Sequence, residues 1–445
     1  MYTTIVSSLL FPLHERLKRH DSPKLLRDME SVQWLPASEL AALQLMRLRS
    51  FLQDVAANVP YYRELFAHTG FDARSVQSLA DLQQLPFLTK AVVRANVDAL
   101  KHAHANGLAR FNTGGSSGEP LVFYIGKKRI SHDVAAKWRA TRWWDVDIGD
   151  TEIVVWGSPI ELGKQDRIKR WRDKMLRTQL LPAFEMSNAK LDQFIDTIRF
   201  IKPRMLFGYP SALTLIARHA HKRGVAMNDL GIKVAFVTSE RLYDDQRATI
   251  GEVFGCAVAN GYGGRDAGFI AHECPAGGMH ITADDIMVEI VDASGQVQPA
   301  GVAGEIVVTH LSTNDFPFIR YRTGDIGVLG TKPCSCGRGL PLLQDIQGRS
   351  TDFVVAADGT VMHGLSLIYI LRDLPGIRSF KVVQESRALT RVLLITDTDF
   401  QPGSLDLITK GFKERLGPNV SVAIDLVDNI PAEKSGKFRY IISHA

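Results

Sequence analysis

"RMLFGYPSALTLIARHAHKRGVAMNDLGIKVAFVTS", residues 204–239, sets two short apolar runs on either side of a helical pattern. The runs "RMLFGYP" and "KVAFVTS" suit strands, and "PSALTLIARHAHKRG" between them has helical spacing. The same alternation fills the region from about 150 to 260, with "EIVVWG" and "CAVANGYG" as further runs and "NAKLDQFIDTIRFI" as another helix. Strand and helix in turn predict an α/β fold with a largely parallel sheet. Working outward, residues 24–70 carry apolar positions every three or four residues and read as a helical lead-in. From about 280 to 345 strands dominate ("DIMVEIVDASGQVQPAG", "GEIVVTH", "DIGVLG"), joined by glycine-rich turns. Beyond "GRSTDFVV" the pattern is mixed again, which suits a small α+β unit. The predicted division is a large unit, 1–348, with an α/β core at about 80–275 and a β-rich subdomain at about 280–345, and a small unit, 349–445.

The chain has 445 residues, 45% hydrophobic and 23% charged, enough for about two or three packed units. A net charge of +5 is small for this length and the basic residues are scattered, which gives no case for a nucleic-acid partner. No segment has the apolar length of a transmembrane span. "TIVSSLLFPLHERLKRH" near the start is apolar in part, but no basic residues precede it and no small-residue cleavage site follows, so a secretory signal is not expected and the cytoplasm is the default. Cys256, Cys274, Cys334 and Cys336 are too few and too unevenly spaced for a disulfide framework. Oligomeric state is not legible here.

Chemistry enters with "FNTGGSSGEPLVFY", 111–124. Gly114, Gly115 and Gly118 free the backbone to turn N–H groups inward, and Thr113, Ser116 and Ser117 add hydroxyls, which suits a phosphate cradle. It lacks the Lys-Ser/Thr ending of a Walker loop and the helix-opening spacing of a dinucleotide fingerprint. The plain alternative is a hairpin turn. Five more motifs follow in order: "TSERL" (238–242), "NGYGGRDAG" (260–268), "FIRYRTGDIG" (318–327), "GRSTDFVV" (348–355) and "EKSGKFRY" (433–440). Six ordered motifs over nearly the whole chain resemble the adenylate-forming enzymes, and more narrowly the phenylacetate–coenzyme A ligase family with its capsular polysaccharide relatives.

The resemblance implies a large N-terminal adenylation domain and a small mobile lid, with ATP and Mg2+ as cofactors. It places the loop 113–118 at the β- and γ-phosphates, although Leu121 stands where such loops often have a lysine. Tyr262, between Gly261 and Gly263, resembles the residue packed on adenine. Asp266 falls where the family has a magnesium-holding Glu, one methylene longer; a helix cap or surface ion pair is the alternative. Ser239 and Glu240 resemble the segment lining the adenine and acyl pockets. Asp325 matches the ribose-binding aspartate, with a turn role or pairing to Arg320 or Arg322 as the alternative. Arg349 resembles the arginine before the hinge, the hinge itself being Thr351 or Asp352. Lys437 matches the lysine that bridges carboxylate and α-phosphate, with Lys434 next in line if the register slips, and a solvated charge as the alternative.

Cys274, His280, Cys334 and Cys336 form a thiolate-rich set suited to structural zinc, as in family members with the same arrangement; reduced thiols in a turn are the alternative, and His272 is the other candidate fourth ligand. Cys256 reads as core. Gly208, Tyr209 and Phe236 are candidates for the acyl pocket, with room for an aryl or medium-sized apolar acid. The expected reaction is activation of a small carboxylic acid as acyl-adenylate with pyrophosphate release, then transfer to coenzyme A. "AADGTVMHGLSLIYIL" after the hinge departs from typical coenzyme A ligases, which keeps an amine or sugar acceptor in capsular, exopolysaccharide or natural-product assembly as the alternative. An inactive nucleotide-binding scaffold is a third reading.

Overall fold

The computed structural model of the protein describes residues 2–112, 121–156, 167–183, 186–347, 353–430 and 440–445. The predicted lead-in is helical: Ser22–Val32, Ala37–Asn58 and Pro60–Thr69. Leu48, Phe51, Leu52 and Val55 recur at helical spacing and are all buried, so one face of the long helix is core. Gly70 ends the last of these helices in the left-handed conformation at φ 69°, its N–H donating to the Phe66 carbonyl. Three short helical pieces precede the lead-in, Tyr2–Ile5, Val6–Leu10 and Phe11–Leu17. The sequence reading did not assign them.

Strands β1 (Ala109–Asn112) and β2 (Val122–Ile125) pair antiparallel, Asn112 opposite Val122, so the hydroxyl-rich segment between them joins two partners of a hairpin. Next comes the main sheet, built from β3 (Glu152–Trp156), β4 (Thr178–Pro182), β5 (Met205–Gly208), β6 (Val234–Thr238), β7 (Ala257–Gly264), β8 (Gly268–Glu273) and β9 (Met279–Ile281). Its order is β4-β3-β5-β6-β7-β8-β9, parallel through β7 and antiparallel for the last two strands. Every residue of β5 and β6 is buried, which is why both read as unbroken apolar runs. Leu206, Ala235 and Val237 face the helices Asn188–Ile201, Pro210–Lys222 and Asp244–Phe254. Met205, Phe207, Val234 and Phe236 face the other way, against Ala140 of the helix Lys127–Arg142.

A second sheet is wholly antiparallel: β10 (Ile286–Val291), β11 (Ala303–His310), β12 (Phe318–Leu329) and β13 (Leu343–Gln347). The C-terminal residues have a core of their own, including Val354, Leu367, Phe380, Val392, Ile408 and Phe412. A hairpin, β14 (Phe353–Val355) and β15 (Val361–His363), leads to β16 (Ile377–Ser386), β17 (Leu389–Thr396), β18 (Ser421–Leu426) and β19 (Ile441–Ser443), which make a four-stranded sheet with the helices Leu365–Arg372 and Ser404–Leu416. The Gln384 side chain ties the hairpin to that sheet. It donates to the Val355 carbonyl at 2.6 Å and accepts the Val355 N–H at 2.8 Å.

Candidate active site and metal centre

The chain runs from β3 outward to β4 and then returns to β5 on the opposite side of β3, so the sheet order reverses there. In open parallel sheets, ligand crevices form at the carboxyl ends of strands at such a reversal. Trp156 ends β3 and Tyr209 follows β5, and their rings stack with centroids 4.4 Å apart. Gly208 is required at this point, because a Cβ would lie 2.4 Å from the Val155 carbonyl oxygen. Beyond β6, Ser239 has φ 73° and turns the chain. Glu240 then accepts hydrogen bonds from the hydroxyl and N–H of Ser211, in the first turn of the helix Pro210–Lys222, where a carboxylate is favoured. Phe236 is fully buried between Phe207 and His272, beneath this end of the sheet.

Tyr262 projects from β7, and its hydroxyl donates to Asp325 Oδ2 at 3.0 Å. Burial, followed by the Asp325 charge, holds the phenol well above its ordinary pKa, so it stays a donor. Asp325 sits at a register irregularity where β12 slips against β11, between the Glu305 and Val307 pairs. Its N–H donates to Thr323 Oγ1 at 3.1 Å, and Gly324 takes φ 81°. The arginines of this strand are engaged elsewhere: Arg320 pairs with Glu289 at 3.0 Å and Arg322 with Glu305. Asp266 lies in the tight turn between β7 and β8 rather than at a helix start, and its Oδ2 accepts the Tyr321 hydroxyl at 2.6 Å. Gly263 is fixed by the same turn, since a Cβ would stand 2.2 Å from the Gly268 carbonyl.

Sequence reasoning missed three contributors. Trp156 carries no motif around it. Tyr321 stood inside a quoted motif read only for its aspartate. Arg129 is buried in the helix Lys127–Arg142; it chelates Asp133 at 2.9 and 3.0 Å and donates to the carbonyls of Arg265 and Asp266, each at 3.3 Å. It therefore fixes the backbone of the Asp266 turn from behind. Thr113, Gly114, Gly115, Ser116, Ser117 and Gly118, with Arg349, Thr351, Asp352, Lys434 and Lys437, lie outside the described residues. Leu121, by contrast, is buried in the main core beside Phe123, so its side chain is a packing group.

The sulfur set also comes together. The ligand atoms of Cys274, His280, Cys334 and Cys336 lie within 4.8 Å of one another. Cys274 Sγ is 3.6 Å from Cys334 Sγ, and Cys336 Sγ is 3.2 Å from His280 Nε2. Ligands of one tetrahedral zinc stand roughly 3.4–3.8 Å apart, given its bond lengths. His280 Nδ1 lies 3.2 Å from the Leu340 carbonyl, and donating there leaves the Nε2 lone pair for a metal. Gly278 gives the close approach, since a Cβ would be 2.6 Å from Cys334 Sγ. The set fits zinc; His272, opposite His280 in the β8–β9 ladder, is not among the converging ligands.

His272 instead packs against Phe269 and Phe236. Burial, aided by the Arg139 charge, drives its pKa down to about 3. Because it is neutral in the fold and its unfolded counterpart takes a proton near pH 6.5, the unfolded state binds more protons between those values, so stability must fall on acidification. His272 alone should cost about 2 kcal/mol by about pH 5, and buried His310, also lowered, adds in the same direction. Denaturant titrations at about pH 7 and about pH 5, with His272→Gln for comparison, measure this. A flat profile would contradict it.

Comparison with known proteins follows the same lines. Residues 354–444 match the family model of the CapK C-terminal domain. Protein CapK of Staphylococcus aureus is 25% identical over 411 residues, which cover 92% of this chain and 90% of that one. Phenylacetate-coenzyme A ligase of Aromatoleum evansii is 28% identical over 335 residues, 74% of each chain. The chain is a homologue of these proteins. Among solved structures, 2-hydroxyisobutyryl-CoA ligase in complex with 2-HIB-AMP and CoA is similar with a TM-score of 0.64 at 22% identity, over 92% of this chain and 91% of that one. The fold is therefore that of the adenylate-forming enzymes, as the sequence led one to expect.

Proposed function

We propose that the chain activates a small carboxylic acid with ATP and passes the acyl group to coenzyme A. The carrying observation is the Tyr262–Asp325 hydrogen bond, which sets an aromatic face and a paired-acceptor carboxylate side by side. An aromatic face suits adenine and a carboxylate suits vicinal ribose hydroxyls. In the first step a carboxylate oxygen of the acid bonds to the α-phosphorus while the bond to the bridging oxygen breaks and pyrophosphate leaves. In the second, the coenzyme A sulfur bonds to the acyl carbon, its thiol proton is lost and AMP departs. Asp266 is the residue suited to Mg2+, since its oxygens keep lone pairs beyond those used by Tyr321 and the Ala267 N–H; the ion would neutralise phosphate charge. Arg129 holds the Asp266 backbone in place. The stacked Trp156 and Tyr209 rings favour a flat aryl or a medium-sized apolar acid.

A second reading keeps the first step and gives the acyl group to an amine or a sugar. It draws support from "AADGTVMHGLSLIYIL", which departs from typical coenzyme A ligases.

The test is pyrophosphate release from Mg2+–ATP across aryl, fatty and hydroxy acids, with and without coenzyme A. Turnover that requires coenzyme A supports the proposal. Release indifferent to coenzyme A favours the second reading, and no release with any acid overturns the first and favours a nucleotide-binding scaffold. Within an active enzyme, Tyr262→Phe keeps the ring and loses one hydrogen bond, so the KM for ATP should rise about fivefold with kcat nearly unchanged. Asp325→Ala should raise it about ten- to a hundredfold. A fall in kcat at unchanged KM would show that these residues do not bind nucleotide.

A further inference from the structure

Residues 2–17 form a helical rod interrupted by a π-type turn over Val6–Leu10. Its inner side is fixed to the body of the protein. Val6 and Phe11 are buried with Leu26, Met29, Ala135 and Trp138. Glu15 accepts the Ser22 hydroxyl at 2.5 Å, and the Tyr2 hydroxyl donates to the Met175 carbonyl at 2.9 Å. The outer side is apolar as well, and none of its packing needs require that. Leu9, Leu13 and Leu17 are 62%, 53% and 77% exposed, and Ile5 continues the line at 45%. Steps of four residues put these side chains along one stripe of a helix. Single exposed leucines are ordinary, but an aligned stripe marks a contact surface.

Around the stripe the chemistry is cationic and aromatic. Arg16, Lys18 and Arg19 are exposed at its end. The neighbouring helix, Arg167–Leu176, presents Trp171 at 65% exposure and Lys174 to solvent. Just beyond it, the Arg177 guanidinium lies 5.4 Å from the Tyr2 ring centroid. Leucines flanked by cations and by a tryptophan at the rim are the composition of a helix that lies in the headgroup region of a bilayer.

We propose that this face docks on the surface of an anionic lipid bilayer, with Leu9, Leu13 and Leu17 at the acyl boundary and the surrounding cations at lipid phosphates. A second copy of the chain fits less well. A two-fold contact through the stripe would set Arg16, Lys18 and Arg19 of one copy either near the same residues of the other, where like charges are costly, or near its Tyr2–Ile5 turn, which carries no acidic side chain to pair them. Among the described residues no helix is long and apolar enough to cross a membrane. The inference stands apart from the proposed reaction, since the stripe contains none of the residues assigned to it.

Flotation of the full chain with vesicles tests it. Binding to vesicles with about one third phosphatidylglycerol should exceed binding to pure phosphatidylcholine about tenfold or more, and should weaken as salt is raised. Leu13→Ser with Leu17→Ser should lower the partition about tenfold while the circular dichroism spectrum and thermal midpoint stay those of the parent. Lys18→Gln with Arg19→Gln should weaken binding to anionic vesicles and flatten its salt dependence. Absence of binding to anionic vesicles, or leucine variants that bind as well as the parent, would overturn the proposal. A dimer in sedimentation that the leucine variant dissolves, without lipid binding, would overturn it in favour of a self-contact.

Discussion

Lys437→Ala is expected to slow pyrophosphate release about a hundred- to a thousandfold at saturating ATP and acid, while the KM for ATP moves little. The effect is electrostatic. Adenylation brings a carboxylate against an already anionic phosphate, and a cation held at the forming bond is worth most when water is excluded. Residues 431–439 lie outside the described residues, but the strand that follows them is placed: β19 lies parallel to β16, with Ile441 opposite Val382. Lys437 is thus tethered four positions before a fixed strand of the small C-terminal sheet. If the charge serves adenylation alone, a preformed acyl-adenylate should still be consumed by the variant at close to the parental rate. Lys434→Ala serves as the control. If Lys434→Ala abolishes pyrophosphate release and Lys437→Ala does not, the residue is misassigned by three positions; if neither does, the adenylation role belongs to another group.

Why some of this was legible and some not follows from where each residue finds its partners. The parallel core could be read because β5 and β6 are buried on both faces and so must be apolar throughout. Tyr262 and Asp325 were each picked out by their glycine-rich surroundings, yet their contact joins positions 63 apart on two different sheets, which no local pattern records. The alternative pairing of Asp325 with Arg320 or Arg322 was reasonable along the strand, but β10 and β11 of the same sheet supply Glu289 and Glu305 to those arginines instead. Arg129 was invisible because it acts on main-chain carbonyls more than a hundred positions away. Such acceptors exist at every residue and leave no mark on the sequence. Residues 4–20 do not read as a secretory signal, though the two apolar sides of this segment, one packed inward and one exposed, are already present in the spacing of Val6 and Phe11 against Leu9, Leu13 and Leu17.

The second large effect concerns the sulfur set. Cys334→Ser should remove stoichiometric zinc from the purified protein and lower the thermal midpoint by on the order of 10 °C, because a structural metal site contributes its binding energy to folding. Cys256→Ser should leave the zinc content unchanged, since Cys256 packs against the core away from the four ligands. The pH dependence has a definite sign. Burial pushes the Cys274 thiol up to about 11 in the absence of metal, so zinc must displace a proton there, and its affinity falls as protons become abundant. Burial also lowers His280 to about 4, so its imidazole is neutral and ready to ligate across the whole neutral range. Acid release of zinc should therefore begin with the thiolates, and a chelator should strip the metal faster at about pH 5 than at about pH 8. Metal that survives in Cys334→Ser would place zinc elsewhere. A freshly prepared parent protein without zinc would leave three reduced thiols and one imidazole whose 3.6 Å and 3.2 Å approaches are held by the turns alone, with Gly278 needed for packing rather than for coordination.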